Sequence, residues 1–197
     1  MLRKERAILT KNKVFETAIE LIRTKGYDNV TISEICEKAG VAKGTFYVHY
    51  KSKEDIIKES YYSDMSEFVL KNYKRLISED NDMSIKDKIE KFLISEFEFT
   101  NYVGFEMTCR AYITNLTECI SKETKHFEKR DFTKELKDLI SEGIDQKVFD
   151  TNQTSEEIFL YLESFVRGFM ASWCFSNSEF DIVKDGERYI KEILRKL

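Results

Sequence analysis

Residues 31–57 read TISEICEKAGVAKGTFYVHYKSKEDII, and their reading decides the fold. Thr31 stands where a helix N-cap belongs, with Glu34 three residues on in a capping-box pattern. The helix it opens, Ile32 to Ala39, is two turns long and is broken by Gly40. Val41 plugs the corner, and a second short helix runs from about Ala42 to Tyr50. Two short helices joined by a tight glycine turn have helix-turn-helix geometry, in which the second helix enters the major groove of DNA. The crossing needs a small residue at Cys36, a glycine at Gly40, and apolar plugs at Ile35, Val41 and Phe46.

On a helical wheel Phe46 and Tyr50 point inward together, leaving Lys43, Gly44, Thr45, Tyr47 and Val48 on the outward arc. Lys43 can pair with a guanine edge or a phosphate, and the Thr45 methyl can touch a thymine methyl. Gly44 removes a side chain where the backbone must approach DNA. Tyr47, His49 and Lys53 suit phosphate oxygens, and Thr31 offers a hydroxyl and backbone amides to another.

Upstream, a helix over about 8–25 carries Val14, Phe15, Ala18, Leu21 and Ile22 on one face and ends at Gly26. The stretch 31–57 resembles the DNA-binding signature of the TetR family of bacterial repressors: a threonine, a Gly-Val turn, a GT-aromatic-Tyr core, a His and a Ser-Lys-Glu ending. TKNKVFETAIELIRTKGYDNV before it is similar to that family's first helix and glycine-aromatic corner, so the likeness spans about residues 8–60. By residue, it implies phosphate contacts at Thr31, Tyr47, His49 and Lys53, and base-facing positions at Ser33, Lys43, Gly44, Thr45 and Val48. Cys36 replaces the usual alanine and Tyr50 the usual phenylalanine; both keep a packing role.

The 197 residues contain no proline, where ordinary usage would supply roughly ten, so long uninterrupted helices are expected. Helical periodicity continues downstream: a helix capped by Ser52 and running to about Ile77, then helices over 84–101, 104–120, 126–147, 154–176 and 179–196. The expected fold is all-α, with a helix-turn-helix domain over residues 1–52 and a helical ligand-binding and dimerisation domain over 53–197.

Charge divides the same way. Residues 1–53 hold eleven Lys/Arg and six Asp/Glu, a net +5, while the rest holds 21 and 30, a net −9, so a basic end on an acidic body is suited to a polyanion. No run approaches the ~20 apolar residues that span a bilayer, and the N-terminus lacks a signal peptide's apolar stretch, so a cytoplasmic protein is expected. Cys36, Cys109, Cys119 and Cys174 are too scattered for a zinc site or disulfide framework, and buried thiols are expected; no metal or cofactor is implied. The chain has no GxSxG, HExxH, phosphate-binding glycine loop or dinucleotide fingerprint. Cys119 and His126, seven apart, are the nearest approach to a catalytic pair, and an enzyme is the distant alternative.

In the body, Ser164, Gly168, Ala171 and Ser172 form a small-residue stripe opposite Phe159, Val166, Met170 and Trp173. The last helix has Gly186, Ile190 and Ile193 in its apolar seam. Two such seams per chain would make a homodimer interface, as the resemblance also implies; alternatively they close a monomer core, since periodicity does not separate the two. Aromatics are concentrated in the middle helices. A pocket for a small apolar or aromatic inducer is expected among Phe97, Asn101, Phe105, Arg110, Tyr112, Asn115, Phe165, Arg167 and Trp173, with His126 a further polar candidate. Glu96, Glu98 and Glu106 read as surface charges. The expected function is a repressor released from a palindromic double-stranded operator by its ligand. The alternative is a ligand-independent regulator with a fully packed body.

Overall fold

The computed structural model describes residues 3–80, 82–120, 131–149 and 152–197, and among them every regular element is a helix. In chain order these are α1 (Arg3–Lys25), α2 (Ile32–Ala39), α3 (Lys43–His49), α4 (Lys53–Glu79), α5 (Ile85–Val103), α6 (Phe105–Ile120), α7 (Asp131–Asp145), α8 (Ser155–Phe175) and α9 (Ile182–Lys196). The ends differ from expectation chiefly at α1, which begins five residues earlier. The break expected over 121–125, the first residues of the helix expected from 126, His126, Asp150 and Thr151 lie outside the described residues.

The chain forms two compact units, Met1–Asp64 with Glu106–Thr124, and Met65–Phe105 with Lys125–Leu197. This differs from the division expected at residues 52 and 53. Helix α4 starts in one unit and ends in the other, and α6, expected in the body, belongs with the amino-terminal helices.

In the first unit, α1 buries Val14, Phe15, Ala18, Leu21 and Ile22, the helical repeat of one face. Gly26, at φ +79°, closes α1 in the left-handed conformation that a glycine adopts without steric cost. Helix α2 packs on α1, and α3 on α2. Ser52 caps α4, its hydroxyl accepting from the Asp55 N–H at 3.2 Å.

The second unit is built on α5, which packs against α7, α8 and α9. Six consecutive buried residues take in every face of a helix, and α5 is buried without a break from Phe92 to Phe97; Phe92, Leu93, Phe97 and Phe99 are each no more than 1% exposed. Tyr73 and Phe132 meet Phe92 with ring centroids 5.3 and 5.8 Å away. Thr154 opens α8 through a reciprocal capping box with Glu157, and Asp181 caps α9 by accepting from two backbone amides.

Three expectations are corrected here. Glu96 is fully buried, because the positions beside it on α5 are buried too; Glu98 is half-buried and accepts from Asn72; Glu106 is tied to the backbone of Tyr27. Of the cysteines only Cys36 is buried, and Cys119 is exposed. Gly186 and Ile190, expected at a dimer interface, lie inside the chain's own core, since α9 turns that face toward α5.

A Cβ at Gly186 would stand 2.4 Å from two Phe97 ring carbons. Gly186→Ala should therefore lower stability by about 1–3 kcal/mol despite alanine's better helix propensity, because the aromatic ring has to move in a filled core. Urea unfolding checks it, with an unchanged or higher midpoint as the contrary outcome.

Candidate nucleic-acid interface

The α2–α3 pair is fixed by local chemistry. The Thr31 hydroxyl accepts from the Glu34 N–H at 3.2 Å while the Glu34 carboxylate accepts from the Thr31 N–H at 3.1 Å. The Lys25 ammonium, 2.6 Å away, and then the Thr31 amide hold the Glu34 carboxyl below the usual carboxylate range. Gly40, at φ +65°, ends α2, and its N–H donates to Glu37. Phe46 and Tyr50 are buried with ring centroids 5.6 Å apart, and the Tyr50 hydroxyl donates to the Lys11 carbonyl at 3.4 Å.

That burial leaves the opposite arc of α3 in solvent. Lys43 and Gly44 are exposed, and a Cβ at Gly44 would meet nothing within 4 Å. Thr45 and His49 are half-buried, Tyr47 is 55% exposed and Val48 79%, and Ser33 on α2 is exposed. An ammonium, a hydroxyl, a phenol and an isolated valine on one free helical arc are groups that can read base edges, thymine methyls and phosphates.

Two of the residues expected at phosphates are engaged within the protein. Thr31 uses both hydroxyl and amide on Glu34. The Lys53 ammonium donates to the carbonyls of Tyr27 and Val30, the latter at 2.8 Å, and lies 4.0 Å from the centroid of the Tyr27 ring.

Residues 14–59 match the family model described as bacterial regulatory proteins, tetR family, and residues 105–197 match that of the carboxy-terminal region of MAATS-type transcriptional repressors. The chain belongs to the TetR family. It is a DNA-binding transcriptional regulator. It is 28% identical to the biofilm operon icaADBC negative transcriptional regulator IcaR of Staphylococcus epidermidis, over 92% of this chain and 93% of that one. Two solved structures share the fold. FadR of Thermus thermophilus, in complex with lauroyl-CoA, has 17% identity and a TM-score of 0.66 over 93% of this chain and 92% of that one. FadR of Bacillus subtilis, in complex with stearoyl-CoA, has 19% identity and a TM-score of 0.60 over 92% and 96%.

The residues expected around a ligand fall in both units of this TetR-family chain. Arg110, Tyr112 and Asn115 are in the first, with Phe97, Asn101, Phe105, Phe165, Arg167 and Trp173 in the second. Phe97 and Phe165 both meet Phe169, at 5.4 and 5.6 Å, and Phe169 also meets Phe180 and Tyr189. Sequence reasoning passed over Phe169, the hub of this cluster, because it lies beside the inward arc of α8 rather than on it. Phe105 meets Trp173 edge-on at 5.9 Å. Arg167 pairs with the buried Glu163 at 3.0 Å, and Asn101 is exposed. Arg110 is held by Glu106 and Asp28. Along α8, Ser164, Gly168 and Ser172 are exposed and Ala171 is half-buried; on α9, Ile193 is half-buried.

Open space at Gly44 separates its two effects. Gly44→Ala should raise stability by roughly 0.5–1 kcal/mol, the ordinary glycine-to-alanine gain in a helix, and should weaken operator binding if the helix backbone lies against DNA. Thermal unfolding and fluorescence anisotropy read the two quantities separately. A variant that is more stable and binds operator normally would remove Gly44 from the interface.

Proposed function

We propose that this regulator is a homodimeric repressor that binds a palindromic operator through Ser33, Lys43, Gly44, Thr45, Tyr47 and Val48, with His49 at a flanking phosphate, and leaves it when a small, mostly apolar ligand binds the helical body. The observation that carries the reading is the split surface of α3, with Phe46 buried and the groups around it free. Thr31 and Lys53 are assigned to phosphates only if DNA draws them away from Glu34, Tyr27 and Val30.

Dimerisation is supported by α8. Leu160 is 55% exposed and Phe175 87%, and Ser164, Gly168 and Ser172 lie between them on the same helical stripe, while Phe159, Leu162, Val166, Met170 and Trp173 are buried. An exposed apolar stripe with small residues at its centre allows close approach of a second helix. A second copy would also supply the two reading helices that a palindrome requires.

The ligand reading draws on the aromatic cluster around Phe169 and on the acyl-CoA named with the FadR structures. Lauroyl-CoA is accordingly the first probe. Linkage requires reciprocity: if it weakens operator binding by some factor, operator weakens its binding by the same factor, typically worth about 1–3 kcal/mol. Calorimetric titration with and without a selected palindromic duplex measures this. Equal affinities in both titrations leave the ligand-independent reading, which draws on the burial of Phe92, Phe97 and Phe99 in the body.

Gly168→Leu tests the interface without disturbing the fold, because a Cβ there meets nothing within 4 Å in the chain itself. It should release monomers in sedimentation velocity, as small-to-large changes in a packed seam cost about 1–3 kcal/mol. A folded Gly168→Leu protein that remains dimeric would place the interface away from this stripe.

A further inference from the structure

We infer that Glu106 and Arg110 of α6 are positioning residues for DNA reading: together with Lys53 they clamp Tyr27, and through it the turn from which α2 and α3 start. The inference rests on the reading of α2 and α3 as the DNA-reading pair, and concerns residues that sequence analysis assigned to the surface or to a ligand.

The clamp lies within the first unit. The Tyr27 N–H donates to Glu106 Oε2 at 2.6 Å, and the Tyr27 carbonyl accepts from the Lys53 ammonium. Both polar groups of one buried residue's backbone are thus held by charged side chains from other helices. Glu106 Oε1 accepts from Arg110 Nε and Nη2 at 3.3 and 3.1 Å, which orients the carboxylate. Arg110 Nη2 also reaches Asp28 Oδ1 at 3.2 Å, and the guanidinium carbon lies 3.6 Å from the centroid of the Tyr27 ring. Tyr27 is 3% exposed, so two cations lie against a ring largely withdrawn from water, where such contacts are strongest.

The consequence for reading is geometric. Lys53 also binds the carbonyl of Val30, and the next residue, Thr31, is the N-cap of α2. The path from Tyr27 to Thr31 therefore starts at Glu106 and ends at the residue that fixes where α2 begins. Base-edge hydrogen bonds tolerate only tenths of an ångström, so a turn that drifts loses discrimination before it loses attraction to phosphate. The chain enters the clamp directly from the second unit, at the Phe105–Glu106 peptide. Phe105 is engaged there by Trp173, and the very next residue holds the turn.

Fluorescence anisotropy on the full-length protein tests the assignment, using a selected operator and a random-sequence duplex over a series of salt concentrations. Wild-type protein that binds neither duplex would remove the underlying DNA reading itself. Glu106→Ala should lose at least tenfold in operator affinity while its affinity for the random duplex changes less than twofold. Glu106→Gln, which keeps an acceptor for the Tyr27 N–H, should recover most of the loss. Arg110→Ala leaves that acceptor in place, so it carries the test should Glu106→Ala fail to fold. It should weaken operator binding severalfold with the salt slope unchanged. A slope reduced by nearly one would instead make Arg110 a phosphate contact. Operator affinity within twofold of wild type in the folded variants, or an equal loss on both duplexes, would overturn the proposal.

Discussion

A helix of seven residues has no stability of its own, because nucleation costs more than so few hydrogen bonds return. Helix α3 therefore exists only because Phe46, with Tyr50 just past its end, is buried among residues of the first unit. The inward side chains of this helix are wholly committed to folding, which leaves the rest of its arc in solvent for the proposed contact with DNA. The reading surface is rigid for reasons supplied elsewhere: the capping box at Thr31, the left-handed Gly40, the underlying face of α1 and the clamp on Tyr27. On the proposed assignment, a change at any of these alters reading without touching a base.

The amino-terminal motif was legible because its determinants are local. Capping pairs lie three residues apart, glycine turns interrupt a clear period, and Phe46 and Tyr50 are four apart, so each signal falls within a short window of sequence. What escaped was long-range. Glu106 lies 79 residues from Tyr27, and nothing in its own neighbourhood distinguishes it from a solvated acid at a helix start. Arg110 looked available for a ligand for the same reason. The burial of Glu96 is of the same kind: Glu96 and Glu98 stand two apart in the stretch Phe92 to Phe99, and only the helices packed across from them decide that one is fully buried and the other half-buried.

Gly168 and Gly186 show where periodicity stops being informative. Each sits in an apolar or small-residue seam, and the two were read alike. One faces open space on α8, whereas the Phe97 ring occupies the place of the other's missing side chain on α9. Helical spacing states which residues share a face, and only the neighbour across the gap decides whether that face is core or interface. The bulky residue that would have separated the cases, Phe97, is far away in sequence.

Magnitudes connect the clamp with regulation. A hydrogen bond to a charged group contributes about 1.5–3 kcal/mol, and partial exposure of the Glu106 and Arg110 side chains, 36% and 31%, places their contribution toward the lower end. Coupling between an effector site and a DNA site is typically about 1–3 kcal/mol. A single backbone-to-carboxylate bond is therefore of the size that a switch has to overcome, whereas the buried aromatic core of the second unit represents far more than a ligand could reorganise. Breaking the Tyr27–Glu106 bond would thus cost about what such a coupling supplies, whereas repacking Phe92, Phe97 or Phe99 would disturb the core on which the second unit depends.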